Sequence, residues 1–393
     1  MRFQKLTPGT LVLSFVLLFA SAEFFLLLRH KSPYVSDTYF YKHQVYIYSG
    51  KDFNQAHDAV ISQLDFTKLD EIEKNFYFDR KAYTRSLSFI SKRPLYPWMV
   101  LILNSILQNE YLSLLLPVFV SYFLVILTFY HLCRLDMPWF YASMAIASFI
   151  SFYPYLDLST YFLTDTIGTA FWLGLLLSIY RYFETDKKTW LLIYASLLAI
   201  SLLNREQNVL FLVVMGIMWL LLRFQNKSFK KRFKSIHKIL LVTTVVIGVF
   251  VIVSLVLGTR TLYDTIVYTQ NQYGLLNNVY PLEKTLLFQL DRIIKSHIHL
   301  AKDLASRHWW AVFLLFGAGY ATVLLLQRKM SLIDIMMFSS GLASYAAIFL
   351  YPILSYRYFF PVVASIIYFF IKMLIKFSGK EAQFVPESNE EYI

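Results

Sequence analysis

A series of apolar runs, each close to the thickness of a bilayer, constrains this chain more than any other feature. The runs cover 9–28, 111–131, 137–155, 160–182, 190–203, 209–222, 239–257, 309–326, 332–354 and 358–375. About 20 apolar residues in a helix cross the hydrocarbon core. In lipid the backbone must satisfy its own hydrogen bonds, which leaves the helix as the spanning form for runs of this kind. The expected fold is an all-α polytopic membrane protein of about ten transmembrane helices. Only 16% of the residues are charged, where a soluble domain carries about a quarter, so a soluble globular fold is excluded.

The first run follows a basic start, Arg2 and Lys5, and holds Ala20-Ser21-Ala22, a triplet resembling a signal-peptidase site. It continues through Phe24 to Leu28 and so reads as an uncleaved signal anchor. A further apolar piece, 95–107, is short for a crossing and reads as a juxtamembrane helix. Charge parity supports this. If 95–107 does not cross, Arg134, Lys187, Lys188, the basic stretch 223–238, Arg328, Lys329, Lys372, Lys376 and Lys380 share the side of the N-terminus. The positive-inside rule makes that side cytoplasmic, with both termini on it.

The expected organisation is a transmembrane domain over 1–378 and a cytoplasmic tail over 379–393. The domain contains a first outer loop (29–93), the juxtamembrane helix (94–108) and a second outer loop (258–308). Apolar residues at helical spacing predict one or two amphipathic helices within 54–74, and another through Leu286, Leu287, Leu290, Ile293, Ile294 and Ile298. The net charge of +12 lies mostly between spans, so no nucleic-acid partner is expected. The lone Cys133 excludes an intrachain disulfide.

Five phrases on the outer face carry candidate chemistry. Asp37, in Ser36-Asp37-Thr38-Tyr39, is the first acid beyond the first run. It is either a base for an acceptor hydroxyl at the membrane rim or a loop acid capping a short helix. Lys92 and Arg93 precede Pro94-Leu95-Tyr96-Pro97 and sit at headgroup level, where they either hold a phosphate or snorkel. Asp165, in Thr164-Asp165-Thr166, opens a long apolar run, with Asp157 nearby; an acid there either faces a polar cavity or caps the helix. Arg205 lies in a tight turn and either pairs with Glu206 or faces a ligand. Arg357, between Tyr356 and Tyr358, occupies another tight turn and can grip a phosphate through two parallel hydrogen bonds. Four cations on the face that should be charge-poor are harder to explain singly than as a shared anion site.

Other signals are absent or weak. His297 and His299 stand two apart and do not share a helix face, so they do not make a metal pair. There is no Walker loop, no G-x-G-x-x-G after a strand and no H-E-x-x-H. No metal or other cofactor is expected; a divalent ion is possible chemistry but is not indicated by any ligand set.

In this order the phrases resemble the C-type (GT-C) integral membrane glycosyltransferases, above all the branch of protein O-mannosyltransferases and lipid A aminoarabinose transferases. The resemblance runs over about 9–375 and rests on Asp37, the Lys92-to-Pro97 phrase, Thr164-Asp165-Thr166 and Arg357-Tyr358-Phe359-Phe360-Pro361. It implies a polyprenyl-phosphate-sugar donor, membrane lipid around it, an acceptor that is a lipid, glycan or protein, and inverting transfer on the extracytoplasmic face without a nucleotide. It implies Asp37 as base and Asp165 as a second acid. Arg357, Arg205, Lys92 and Arg93 are implied at the donor phosphate, and Tyr96, Asp157, Tyr356 and Tyr358 as other substrate contacts. That family often has an acid pair in the first loop, whereas Thr38 follows Asp37 here, so the base rests on one residue. It also often has a soluble C-terminal domain; here acceptor recognition is expected from the two outer loops or a partner protein.

Three rival readings stand beside this one. A lipid-linked polysaccharide polymerase or ligase would use Arg292, His297, His299 and Arg307 of the second outer loop. A flippase or transporter would need midplane acids and broken helices, and the acids here gather at the rim, with Asp334 near an inner end. A membrane scaffold would need none of the five phrases.

Overall fold

The computed structural model describes residues 7–67, 69, 74, 77–224, 230–256, 285–306, 308–350 and 356–379. Among these residues the secondary structure is helical, with no strand. Helix α1 (Pro8–His30) starts on Thr7, whose side chain accepts from the Thr10 amide at 3.3 Å. One narrow seam of α1, Val16, Ala20 and Phe24, is buried, while Phe15 and Leu18 are each 70% exposed. An apolar side chain left open on a spanning helix is what a lipid-facing surface requires.

A cap of four short helices follows: α2 (Ser36–Tyr48), α3 (Phe53–Ile61), α4 (Arg80–Ile90) and α5 (Leu95–Leu107). Helix α3 is one of the amphipathic helices expected within 54–74; 70–73 lie outside the described residues. Helix α4 was not expected. Its signals are present: Asp79 caps the Lys81 and Ala82 amides, and Tyr83, Ser86 and Ile90 form its buried face. Helix α5 is the short apolar helix read from 95–107, and it packs on α2.

The bundle is made by α6 (Glu110–Arg134), α7 (Trp139–Ile150), α8 (Tyr153–Ser159), α9 (Asp165–Thr185), α10 (Lys188–Asn204), α11 (Phe211–Phe224) and α12 (Lys230–Val256), then α13 (Thr285–Ser306), α14 (His308–Leu326), α15 (Leu332–Tyr345), α16 (Ala347–Leu350) and α17 (Phe360–Phe377). Short 3₁₀ turns, Glu206–Leu210 and Tyr356–Tyr358, precede α11 and α17. Six helices among the described residues are long and apolar enough to cross a membrane: Pro8–His30, Glu110–Arg134, Glu206–Phe224, Lys234–Val256, Leu332–Phe349 and Phe360–Phe377. Leu95–Leu107, Trp139–Ile150, Lys188–Asn204 and Trp310–Leu326 are apolar but shorter. This is an integral membrane protein.

Two of the runs do not form single helices. The run 137–155 breaks at Ser151 and Phe152, where Pro154 starts α8. The run 332–354 breaks at Ala346 between α15 and α16, and 351–354 lie outside the described residues. Helix α9 has spanning length but lower hydropathy, because it is the buried centre of the bundle: it packs on α6 and α10 and touches α12, α15 and α17. A helix surrounded by protein needs less apolar surface than one facing lipid. Close packing recurs at Gly317 of α14, where a Cβ would stand 2.4 Å from the Ile366 carbonyl of α17.

Candidate active site

Two straps bring distant segments to one end of the bundle. Lys31, just past α1, places its Nζ 2.6 Å from both the backbone oxygen and Oδ1 of Asp157 on α8. The Phe162 amide donates to the Pro33 carbonyl at 3.0 Å, and the Thr38 hydroxyl donates to the Phe162 carbonyl at 3.2 Å. These contacts lay the start of α2 against the start of α9. Each helix then carries an acid in its first turn, Asp37 and Asp165, where the positive end of the helix dipole favours a carboxylate. Neither acid caps its helix. Thr164 stands at the N-cap of α9, and the Thr38 hydroxyl accepts the Val35 amide at the start of α2.

The carboxylates turn instead to two arginines. Arg357 Nη2 donates to Asp37 Oδ2 at 2.7 Å, and its Nε donates to Asp165 Oδ1 at 3.0 Å. Arg205 Nη1 donates to the same Asp165 oxygen at 2.7 Å and lies 3.5 Å from the Arg357 carbonyl. The Arg205 guanidinium also sits 5.2 Å from the centre of the Tyr358 ring, a cation–π contact. Burial is graded: the Asp165 side chain is fully buried and that of Arg205 4% exposed, while Arg357 and Asp37 are 22% and 26% exposed. Burial disfavours the Arg357 charge, but Asp165 and then Asp37 outweigh it and hold the guanidinium protonated.

Arg205 is seated by its surroundings. A Cβ at Gly168 would stand 2.9 Å from Arg205 Cδ and 3.2 Å from Asn204 Nδ2, so glycine leaves the room for this turn. Asn204 Nδ2 donates to the Thr164 carbonyl at 3.0 Å, tying the end of α10 to the start of α9. Asp165 Oδ2 and Arg205 Nε and Nη2 are buried and meet no hydrogen-bond partner among the described residues.

The other sequence-derived candidates surround this centre. Lys92 Nζ donates to Glu206 Oε2 at 3.2 Å, so Glu206 takes Lys92 rather than Arg205 as its partner. Arg93 Nη1 lies 3.4 Å from the Tyr41 hydroxyl, which in turn lies 3.1 Å from Thr164 Oγ1. Tyr96 is fully buried and donates to the Leu114 carbonyl at 2.9 Å. It packs edge-on against Tyr41 and so fills the wall rather than the centre. Asp157 is engaged by Lys31 in the strap and is not brought to Arg357. Tyr358 lies under Arg205, and the Tyr356 hydroxyl donates to Asp303 Oδ2 on α13. Of the rival constellation, His297 pairs with the Tyr345 hydroxyl, and Arg307 lies outside the described residues. Among the described residues no group of three His, Cys, Asp or Glu side chains gathers in a way that could hold a metal ion.

Residues 91–256 match the family model of dolichyl-phosphate-mannose-protein mannosyltransferases. This is a membrane glycosyltransferase. The matched stretch contains Lys92, Arg93, Tyr96, Asp157, Asp165 and Arg205, while Asp37 and Arg357 lie outside it and reach the site through the fold. The resemblance read from the short phrases is therefore to the same group of C-type enzymes. No curated protein and no solved structure gives a match.

Some residues of the glycosyltransferase's site were not singled out from sequence. Tyr41 links Arg93 to Thr164, Asn204 fixes the Arg205 turn, and Gly168 clears space for it. Gly168 carries a readable signal, since glycine is the residue that permits close approach to the backbone. Tyr41 stands one turn beyond Asp37, on the same face of α2. A separate cleft of about 190 Å³ lies between α2, α5 and α6, lined by Lys42, Tyr46, Val100, Asn104, Glu110 and Leu114 among others. None of the four central residues lines it.

Proposed function

We propose that this glycosyltransferase moves mannose from a polyprenyl-phosphate donor to a hydroxyl of a lipid, glycan or protein acceptor, by inverting single displacement on the extracytoplasmic face. One observation carries the reading. Four segments far apart in sequence converge so that one guanidinium, that of Arg357, joins a partly exposed carboxylate, Asp37, to a buried one, Asp165, which Arg205 also holds. The match to mannosyltransferases over 91–256 supports the sugar class and the lipid-linked donor.

In this reading the acceptor oxygen attacks the anomeric carbon and the carbon–oxygen bond to the lipid phosphate breaks. The electron pair leaves with the phosphate, and Asp37 takes the acceptor proton. Charge grows on the phosphate as it departs, and fixed cations aimed at that position lower the barrier. Arg357 is the exposed member of the pair and meets the phosphate first. Arg205, held behind it on Asp165 with Nε and Nη2 unsatisfied among the described residues, keeps the local field positive. Lys92 and Arg93, at the start of the juxtamembrane helix, take the outer side of the phosphate. Asp165 keeps both arginines oriented and stands closest to the sugar. The concentration of cytoplasm-type charge at the opposite helix ends supports the orientation.

The test is conversion of labelled polyprenyl-phosphate mannose to polyprenyl phosphate in membranes containing the full chain. Asp37→Asn is expected to stop turnover while leaving insertion intact, and Arg357→Ala to remove donor binding. Wild-type turnover by Asp37→Asn would overturn the base assignment.

A further inference from the structure

The turn that carries Arg357 has little to hold it from within. A 3₁₀ segment of three residues makes few backbone bonds; here the Phe359 amide donates to the Tyr356 carbonyl at 2.9 Å. Its aim therefore depends on ties made to other elements. The Ser344 hydroxyl of α15 donates to the Tyr358 carbonyl at 2.8 Å, and Arg205 approaches the Arg357 carbonyl. The third tie leaves the bundle core: the Tyr356 hydroxyl, next in sequence to Arg357, donates to Asp303 on α13. The Tyr356 ring is braced edge-on by Phe152, 5.4 Å away, which Trp310 of α14 backs at 4.5 Å.

Helix α13 makes other contacts too. It packs on α14 and α16, His297 reaches Tyr345, and Leu290, Ile294 and Ile298 leave an apolar stripe about half exposed. Asp303 is the residue of α13 that takes the Tyr356 hydroxyl. A hydroxyl on a carboxylate is a charge-assisted hydrogen bond, directional and stronger than a neutral one.

We propose that Asp303 and Tyr356 are a positioning pair: the carboxylate of α13 holds the Tyr356 hydroxyl and so aims the Arg357 guanidinium at the donor phosphate. The proposal rests on the reading of Arg357 as a phosphate ligand. It also gives α13 a part in donor binding that needs none of the Arg292, His297 and His299 chemistry of the rival reading.

The experiment measures the Kd of polyprenyl phosphate for the full chain in nanodiscs, together with the thermal midpoint. Tyr356→Phe removes the hydrogen bond and Asp303→Asn removes the charge that strengthens it, each with little change of shape. Each is expected to raise Kd about tenfold, the scale of one charge-assisted bond. The double variant should bind no more weakly than either single one, because the two residues make one interaction. Asp303→Glu should restore part of the affinity. A purely structural role would lower the thermal midpoint and the folded fraction but leave the Kd of the folded protein unchanged, and that result overturns the pair. Should Asp303→Asn not fold, Tyr356→Phe alone decides. Arg357→Ala separates the two levels. If it binds polyprenyl phosphate as the wild type does, the phosphate reading itself fails. If it loses binding while Tyr356→Phe keeps wild-type Kd, only the pair fails.

Discussion

The two ends of the bundle solve the same electrostatic problem in different ways. At one end Arg357 joins Asp37 and Asp165, and at the other Lys372 of α17 joins Asp136 and Asp334. Each is one cation shared by two carboxylates from distant segments. The Lys372 cluster is densely bonded from within. Both Asp334 oxygens accept from Lys372, at 2.7 and 2.8 Å, and the Tyr368 hydroxyl lies 2.6 Å from Asp136 Oδ2 and 2.8 Å from Asp334 Oδ1. The Ser331 amide donates to Asp334 Oδ2 at 2.7 Å and its hydroxyl to Asp136 Oδ2 at 3.2 Å. The Arg357 cluster is open. It has a second arginine, a lysine–glutamate pair beside it, and buried polar atoms on Asp165 and Arg205 that no described residue satisfies. A buried charge cluster whose bonds are all internal holds helices together; one left incomplete and cation-rich is fitted to receive an anion.

Substitutions break this contrast in order of size. Asp37→Asn is expected to lower turnover about 10³-fold, the range of a lost general base, with the folded protein recovered in normal yield. Because Asp37 is a quarter exposed, its neutral isostere leaves no buried orphan charge. Arg357→Ala is expected to lower turnover about 10²-fold or more, as removal of a donor to developing charge does, and to weaken polyprenyl phosphate binding. At the other end Lys372→Met strands two carboxylates and should cost about 3 kcal/mol of stability, as breaking a buried pair does. Turnover per folded molecule should stay within about twofold. Equal effects of Lys372→Met and Arg357→Ala on turnover per folded molecule would erase the distinction.

The smallest effect is a pH dependence in the cap. Burial, with His57 beside it, pushes His43 down from its ordinary 6.5 to about 4. Its Nδ1 lies 2.8 Å from the Tyr83 hydroxyl, joining α2 to α4. Between those two values the unfolded chain takes up a proton that the folded cap refuses, so stability is full above about pH 6.5 and declines as pH falls toward 4. Proteolysis of the cap should accelerate over that window, and His43→Gln should flatten the response.

Much of the fold was legible because it is written in local pattern. Runs of apolar residues with interfacial aromatics mark the spanning helices, and the short run at 95–107 marks α5. The breaks at Ser151 and Ala346 were not, since an apolar run reads alike whether the helix continues or turns. Helix α4 was missed because its polar face dominates its composition, although Asp79 and its buried face were there to read. In the site, Asp165, Arg205 and Arg357 stood out because each is a charge at the edge of an apolar run, and Asp37 because it is the first acid beyond one. The pairings around them did not. Asp157 is taken by Lys31 and Glu206 by Lys92, more than a hundred residues away in both cases, and nothing local to either acid records such a pairing.

The central claim concerns one place: a phosphate against Arg357 and Arg205, with Asp37 beside the reacting carbon. The most direct measurement is the structure of the Asp37→Asn protein, which should bind donor without consuming it, in complex with polyprenyl-phosphate mannose. The expected result has the phosphate oxygens within hydrogen-bonding distance of Arg357, the sugar toward Asp165, and residue 37 on the opposite face of the anomeric carbon from the phosphate. A donor phosphate seated instead in the cleft of Lys42, Tyr46 and Glu110, away from both arginines, would contradict it.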